Sequence, residues 1–373
     1  MGETTLQAGL RYFRVGTITV LLGALFGCST VGYYYQSARG QLDLMCRSRD
    51  IDKLLKNGDA TPAVRGRLER VKSMRRFASE SLDLPDNESY KSYAAVDRDY
   101  ALWNVFAAPE LSIQPHKWCF PIVGCVVYRG YFKKSDAEKY AKSLQKHGLE
   151  TYVAGVPAYS TLGWFDDPVL STVLNYPDPD LAGLIFHELA HQVAYAKGDS
   201  VFNESFAVTV EMEGVKRWLK HEGRPGEIEA YRVRRHRNDK VVDTILAYRR
   251  RLGELYQSDH DRSWKLARKA EIIAALKDRY RKMISAWPGY HGYGRWFSED
   301  LNNAHFAVIA AYHARVPAFQ ALLARDGGDL RKFYDDAVRL SREPKAQRDA
   351  FLDKLTATAP SSTTDALPYK ENS

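Results

Sequence analysis

Two histidines four residues apart, with a glutamate between them, are the residues whose types and spacing most clearly suggest chemistry. His187, Glu188 and His191 lie in the stretch Phe-His-Glu-Leu-Ala-His-Gln. On a helix, residues four apart project from one face one turn apart, so both imidazoles can bind a single zinc ion. Glu188 is offset by about 100° around the helix and can reach a water on the metal as a general base. The pattern predicts a zinc site that activates water for hydrolysis.

The element that must position these residues is a helix with clear start and stop signals. Asp178 is a favourable N-cap residue, and Pro179 suits the first helical position. Gly198 is expected to end the helix about two turns after His191. One side of this helix would be buried through an apolar stripe of Leu181, Leu184, Ile185 and Leu189.

A second helix is expected to supply the third ligand. It begins in the stretch Asn-Glu-Ser-Phe-Ala, where Asn203 can act as the cap and Glu204 as a first-turn carboxylate. Two histidines and one glutamate leave a fourth position open, which is typical of catalytic zinc sites, so we expect one Zn²⁺ per chain. Glu211 lies seven residues further along the same helix face. It is the reserve third ligand or, like Asn203, a residue that supports a ligand from behind.

Hydrolysis of an amide also needs a hydrogen-bond donor for the oxyanion that develops on the carbonyl. The segment from Trp287 to Phe297 is rich in glycine and aromatic residues and contains Tyr293 and His291. Either side chain could be that donor. The alternative is an aromatic loop that fills a core. The basic run from Arg232 to Arg237 is typical of a solvated helix face.

The zinc motif and the glutamate that follows it resemble the gluzincin metallopeptidases, particularly the aminopeptidase-N type, which has His-Glu-x-x-His-Gln and then Asn-Glu-x-Phe-Ala. The chain is more similar still to a bacterial family of predicted aminopeptidase lipoproteins. Its members share Trp-Cys-Phe-Pro, Tyr-x-Gly-Tyr-Phe, the zinc motif and Asn-Asn-Ala in this order; here these begin at Trp118, Tyr128, His187 and Asn302. The resemblance implies a zincin-like fold and a zinc-dependent aminopeptidase acting on peptides or proteins. An endopeptidase, or a non-catalytic envelope assembly or binding lipoprotein that retains the zinc fold, are the alternatives.

The chain departs from the aminopeptidase-N pattern at two places. Only 12 residues separate His191 from Glu204, so the connecting loop is shorter. The Gly-x-Met-Glu-Asn element that binds a free amine is missing upstream of the zinc helix. The corresponding region could supply an edge for an extended peptide through Tyr159, Ser160, Thr161 and Gly163. Asp166 and Asp167 in this region either bind an amine or form a turn before Pro168.

Composition sets the broad class of the protein. The chain has 373 residues, 45% hydrophobic and 27% charged, which excludes disordered and fibrous proteins and suggests about two domains. The formal net charge of +8 comes without a nucleic-acid motif, so no nucleic-acid partner is expected. The sequence leaves the oligomeric state open.

The order of elements predicts an α+β, mostly helical fold with a small mixed sheet before the zinc helix. We expect helices within residues 40–82, strands within 110–132, a helix over 135–147 and a strand over 149–156. The expected segments are a leader or anchor (1–27), a membrane-proximal helical segment (28–109), a catalytic region (110–215), a helical region (216–357) and a disordered tail (358–373).

The N-terminus predicts attachment to a bacterial envelope membrane, facing the periplasm. Arg11 and Arg14 precede an apolar run over 15–26, and Leu-Phe-Gly-Cys follows, as in a lipoprotein signal with lipid on Cys28. By resemblance, Ser29 after the cysteine would direct a lipoprotein to the outer membrane. The alternative is an uncleaved anchor, because residues 15–38 carry no charge and are long enough to span a bilayer.

The chain has four cysteines, too few for a disulfide scaffold or a zinc-ribbon protein. Cys119 and Cys125 are close enough in sequence to form a disulfide in an oxidising compartment, or they are two buried thiols on neighbouring strands.

Overall fold

The computed structural model describes residues 32–120, 124–158, 161 and 163–358. Within them the chain is α+β and mostly helical, with 64% helix and small sheets, which confirms the expected class. The predicted leader, the lipidation site at Cys28, two of the substrate-edge residues (Tyr159 and Ser160) and nearly all of the predicted tail lie outside the described residues.

The strands lie in the first half of the described chain, interspersed with helices. In order, the elements are α1 (32–47), β1 (Ser48–Asp50), α2 (Ile51–Asn57), α3 (Pro62–Leu82), β2 (Ser92–Ala94), β3 (Leu102–Pro109), β4 (Trp118–Phe120), β5 (Gly124–Val126), β6 (Tyr128–Tyr131), α4 (Lys134–Gln145), β7 (Leu149–Val156) and β8 (Val169–Leu170).

The second half is helical. Its elements are α5 (Ser171–Leu174), α6 (Asp178–Ala190), α7 (Ser200–His221), α8 (Pro225–Gln257), α9 (Arg262–Ser285), α10 (Gly294–Ser298), α11 (Asn303–His313), α12 (Val316–Arg325), α13 (Leu330–Arg342) and α14 (Lys345–Thr358).

Two of the predicted elements before the zinc helix are found with small shifts, whereas the expectation of a helical segment over 28–109 is wrong in its described part, because β1, β2 and the central strand β3 lie within it. The strand expected over 149–156 is β7, and the helix expected over 135–147 is α4. Ser135 is not the N-cap of α4, because Lys133 holds that position without a side-chain hydrogen bond. Gly148 follows α4 with a φ of +78°, the left-handed conformation that a helix stop commonly uses.

The sheet that bears on the site has the order β6-β3-β7, and all its pairs are antiparallel. Alternate residues of β3 point to opposite faces: Val105 packs with α4, whereas Phe106 packs with α11. A strand that is covered on both faces needs apolar residues throughout, which explains the buried run in the middle of β3. The α11 face of this sheet also carries Tyr128 of β6.

Two smaller sheets complete the β structure of the described residues. One has the order β1-β2-β8, with an antiparallel β1–β2 pair and a parallel β2–β8 pair. The other is the β4–β5 hairpin, in which Cys119 lies opposite Cys125 and the two are joined by a disulfide. Cys46 is a free, exposed cysteine.

The main core surrounds α6. Leu181, Ile185, Phe186 and Leu189 of this helix are fully buried in one cluster that extends from α2 to α14. Where α7 crosses α6, Gly214 lies so close that a Cβ there would be 2.7 Å from the Phe186 ring. A second core lies between α8, α9 and α11.

The continuous stretch of α11 and α12 is the one part of the described chain long and apolar enough to cross a membrane. The most apolar part of this stretch is 56% buried inside the protein, as expected for helices that pack in the core.

Candidate metal centre

The helix α6 brings two of the predicted ligands together at its C-terminal end. It ends at Ala190, and His191 is its C-cap, with its backbone N–H donating to the carbonyl of His187. The two imidazole rings have centroids 4.9 Å apart. The expectation that the helix continues to Gly198 is wrong, because the chain turns immediately after His191 and Gly198 belongs to the reversal before α7.

The start of α6 also differs from the expectation. Pro177 is the N-cap, and Asp178 is the first helical residue. The Asp178 carboxylate accepts hydrogen bonds from Arg67 at 2.6 Å and Arg224 at 3.0 Å. Burial alone would raise the pKa of Asp178, but these arginines outweigh burial and lower it. The carboxylate therefore connects α6 to α3 and to the start of α8. It also interacts favourably with the positive N-terminal end of the α6 dipole.

The reversal between α6 and α7 is held by two polar side chains. Asn203 accepts from the backbone N–H of Ala196 at 2.7 Å and donates to the Ala196 carbonyl at 3.1 Å. Asp199, and not Asn203, is the N-cap of α7. The predicted role of Asn203 as the cap of α7 is wrong, and its amide instead fixes the loop that leads to Glu204.

The same Asp199 forms a buried ion pair with the last helix. It accepts from Arg348 at 2.8 Å and from Lys345 at 3.0 Å, and both Asp199 and Arg348 are almost fully buried. Burial would raise the pKa of Asp199, but the hydrogen bonds from these two basic residues lower it. The start of α7 is thereby anchored to α14.

The loop geometry places Glu204 against the two histidines. The Oε2 atom of Glu204 lies 3.4 Å from Nε2 of His187 and 3.5 Å from Nε2 of His191. One ligand atom from each of the three residues lies within 4.8 Å of the others. Zinc bonds of about 2.0–2.2 Å at tetrahedral angles place ligand atoms about 3.3–3.6 Å apart, so the donor set and its spacing fit a zinc ion.

Glu211 is not part of this group of three but contacts His187 on the ring nitrogen that faces away from Glu204. Its Oε2 lies 3.2 Å from Nδ1 of His187, and its other oxygen lies 3.8 Å from Arg235. Burial alone would lower the pKa of His187, but the bonds to Glu204 and Glu211 outweigh burial and raise it to about 10. A carboxylate on Nδ1 fixes the ring orientation and leaves Nε2 directed at the metal position.

Arg235 shows that the basic run on α8 is not simply a solvated face. Its side chain is only 15% exposed, and it lies between Glu211 of α7 and Asp239 of its own helix, 3.3 Å from the latter. Burial would lower the pKa of Arg235, but these two carboxylates raise it. The interpretation of this residue as solvated is therefore wrong.

Glu188 is half-buried beside the ligand group. Burial raises the pKa of Glu188, while the positive charge on His187 and His191 acts in the opposite direction. An elevated pKa suits a carboxyl group that must accept a proton and then give it up.

Three tyrosines that the sequence analysis did not assign to the site surround the ligands. Burial raises the pKa of Tyr312 on α11 and of Tyr128 on β6, and the carboxylates of Glu204 and Glu188 raise both further. The Tyr312 ring is stacked 6.5 Å from that of His187. Burial and Glu204 also raise the pKa of Tyr195. Tyr128 did have a sequence signal, since it opens the Tyr-x-Gly-Tyr-Phe motif.

The two residues expected as oxyanion donors lie in a segment that packs against the second core. His291 is exposed and lines a cavity of about 580 Å³ whose lining includes none of the three ligand residues. Burial raises the pKa of Tyr293 to about 12. The charge of Arg235 lowers this pKa, whereas the carboxylates of Asp239 and Glu211 raise it. The segment packs against the second core, which was the alternative for it.

The predicted substrate edge forms no strand in its described part, residues 161 and 163–168. The N–H and hydroxyl of Thr161 both donate to Asp167, at 2.7 and 3.0 Å. Burial raises the pKa of Asp167 to about 7 despite these bonds, and the role of Asp167 in the described structure is to form the turn. Gly163 has a φ of +78° and lies beside Gln192, directly after the second histidine. This turn therefore borders the ligand group.

Comparison with known proteins gave one family. A family model described as "Putative aminopeptidase" matches residues 32–352. No curated protein and no solved structure matches the chain. The match includes every residue of the candidate metal centre.

Proposed function

The chain belongs to this aminopeptidase family, and from that premise we propose that it is a zinc-dependent peptidase that removes residues from the N-termini of peptides. His187, His191 and Glu204 would hold the ion. The observation that carries the proposal is the convergence of their three donor atoms within 4.8 Å of one another, with Glu204 at 3.4 and 3.5 Å from the two histidines and Glu188 adjacent on α6. When bound, zinc supplies Lewis-acid chemistry that makes water nucleophilic and polarises a carbonyl.

In this proposal the proton is handled by Glu188. Its carboxylate takes a proton from the attacking water and delivers it to the nitrogen of the leaving amine. Burial raises the pKa of Glu188, which makes its carboxylate a stronger base for the first of these transfers. Glu211 holds His187 through Nδ1, so that the ligand does not rotate during the reaction.

The oxyanion would be stabilised by tyrosine hydroxyls. The charges of Glu188 and Glu204 raise the pKa of both Tyr312 and Tyr128. Together with burial, this keeps both hydroxyls protonated. A protonated, preorganised hydroxyl can donate to the developing negative charge. Of the two, Tyr312 also stacks over the His187 ring, which makes it our first assignment.

An endopeptidase is the second candidate, and one observation favours it. Asp167, one of the two aspartates considered as amine-binding groups, accepts hydrogen bonds from Thr161 and forms a turn instead. Cleavage of a peptide with a free N-terminus, but not of its N-acetylated form, would establish the aminopeptidase. Equal cleavage of both forms would establish the endopeptidase.

We further propose that the enzyme is attached to a bacterial envelope membrane and faces the periplasm. Support comes from the basic residues before the apolar run, the uncharged stretch over 15–38 and the Leu-Phe-Gly-Cys sequence that ends at Cys28. The disulfide between Cys119 and Cys125 is consistent with an oxidising compartment.

Metal content and activity of matched variants test the zinc peptidase. The wild-type chain should contain about one zinc, as three-ligand catalytic sites do. Glu204→Ala should lose the metal and the activity. Glu188→Gln should keep the metal and lose only the activity. A wild-type protein that binds no zinc when zinc is supplied, or a Glu188→Gln variant with full activity, would overturn the proposal.

A further inference from the structure

The helix α1 has an apolar face that no described part of the chain covers. Tyr34, Tyr35, Leu42 and Met45 are 44%, 65%, 59% and 43% exposed. They are four of the seven large apolar side chains that are exposed in the described residues. At 100° per residue these four positions fall within an arc of about 100° on one side of the helix.

The opposite side of α1 is fixed to the protein. Leu44 is buried, and the Phe132 ring occupies the space where Gly40 would carry a side chain. The Gln36 amide donates to the carbonyl of Gly130 and accepts from the N–H of Phe132, both at 3.2 Å, so it binds the edge strand β6 and the residue after it. The orientation of the exposed apolar face is therefore set by the fold.

The chain that precedes α1 identifies what meets this face. Residues 15–38 carry no charge, and Gly32, the first described residue of α1, follows Cys28 by only four residues. Four extended residues span at most about 14 Å. A membrane attachment at or before Cys28 therefore keeps α1 at the bilayer surface, where tyrosines are enriched. Arg39 is exposed beside the apolar face, as on helices that lie in a lipid interface.

The dimensions of the face argue against a second protein. A helix of 16 residues is about 24 Å long and about 10 Å wide, which gives an area of about 240 Å². A stable protein–protein interface buries about 800 Å² on each partner. A lipid interface has no such minimum, because a few inserted side chains add to an existing anchor.

We propose that the outward face of α1 inserts into the membrane interface and holds the peptidase in one orientation on the bilayer. The inference rests on the envelope attachment proposed above. The inward face of α1 packs on β4 and β6, with Tyr33 stacked 5.5 Å from Phe120 and edge-on to Tyr131 at 5.7 Å. β6 begins with Tyr128 of the candidate site. The metal centre is thus one strand away from the membrane-bound helix, and its substrates are peptides presented at the membrane surface.

The test uses the full chain in vesicles of phosphatidylethanolamine and phosphatidylglycerol. In a Cys46→Ser background, a spin label is attached at Leu42→Cys and, in a matched control, at Lys332→Cys, an exposed position on α13. Collision with oxygen, which is concentrated in lipid, is compared with collision with a water-soluble nickel complex. Flotation with the vesicles and zinc content are measured on the same samples.

The label at position 42 should be several-fold less accessible to nickel and more accessible to oxygen than the label at position 332. A chain that floats but has equal nickel accessibility at both positions overturns the role of α1 and leaves the anchor intact. Spin–spin broadening at position 42 would show a second copy instead of lipid and also overturns it. A chain that does not float overturns both the attachment and the role of α1, whereas zinc content reports on the peptidase proposal independently.

Discussion

The carboxylate of Glu211 offers the sharpest test of how the candidate metal centre is built. Among the described residues it contacts Nδ1 of His187, at 3.2 Å, and Arg235, at 3.8 Å. Glu211→Gln keeps the size of the side chain but removes its charge, so the His187 ring loses a charged acceptor. Loss of such a supporting group typically costs 10–100-fold in metal affinity. Because the amide oxygen of glutamine can still accept from Nδ1, we expect about tenfold for this variant and nearer 100-fold for Glu211→Ala, or about 1.4 to 2.7 kcal/mol.

In the assay, each variant competes with a chromophoric chelator for zinc, and the zinc dissociation constant of each variant is calculated from the competition. Glu213→Gln is the matched control, because Glu213 lies on the same helix and pairs with Lys216 and Arg217 and not with a histidine. The control should bind zinc as the wild type does. If the Glu211 and Glu213 variants bind zinc equally well, Glu211 does not support the site, and our account of His187 is wrong. Complete loss of zinc in Glu211→Gln would instead make Glu211 a direct ligand.

Three further variants test the rest of the structure. Tyr312→Phe should lower kcat by about 10²–10³-fold with unchanged zinc content, since it removes one oxyanion donor, and a full-rate variant would exclude that role. Asp199→Asn should destabilise the fold by about 3–5 kcal/mol in urea titrations, whereas the exposed pair lost in Asp43→Asn should cost less than about 1 kcal/mol. The pKa of Asp199 is lower in the folded protein than in the unfolded chain, so the stability that Asp199 contributes is present above the ordinary pKa of an aspartate and disappears as pH falls through the folded pKa. The difference in unfolding free energy between wild type and Asp199→Asn should therefore shrink in acid. A difference that stays constant with pH would refute this. Gly214→Ala should destabilise by about 1–3 kcal/mol through overpacking between α6 and α7, whereas Gly226→Ala, with open space around it, should be neutral or slightly stabilising, and equal effects would contradict the packing described.

The parts of the fold that sequence could predict are those set by local periodicity. The boundaries of β7 and the existence of α4 follow from alternation and helix signals within a dozen residues. The one-turn spacing of His187 and His191 is also local, since it follows from the helix pitch. Glu204 could be placed near them because the connection is too short to carry it far away.

The parts that sequence could not predict depend on distant packing. Tyr128 comes from an edge strand and Tyr312 from α11, and only the sheet and helix layers bring these two to the same site. The burial of Arg235 has the same origin, because α7 covers that face of α8. His291 and Tyr293 had suitable chemistry, but a glycine-rich aromatic segment can equally fill a core, and composition does not distinguish the two.

The end of α6 shows the limit of reading stop signals. Gly198 was a good candidate for the helix end, yet the helix ends at Ala190. The reversal after α6 is held by the side chains of Asn203 and Asp199, which belong to the start of the next helix, α7. A helix end that is fixed by tertiary hydrogen bonds leaves little local signal.

The extent of the main core sets the order in which the chain can fold. Ile51 of α2 and Leu352 of α14 are both about 1% exposed in the same cluster, about 300 residues apart in sequence. At about 5–20 residues per second, the ribosome reaches Leu352 some 15 to 60 s after Ile51. During that interval the apolar surface around α6 has no complete cover. A chain with this architecture therefore completes its main core only at the end of synthesis, because its last helix closes the core that its first helices begin.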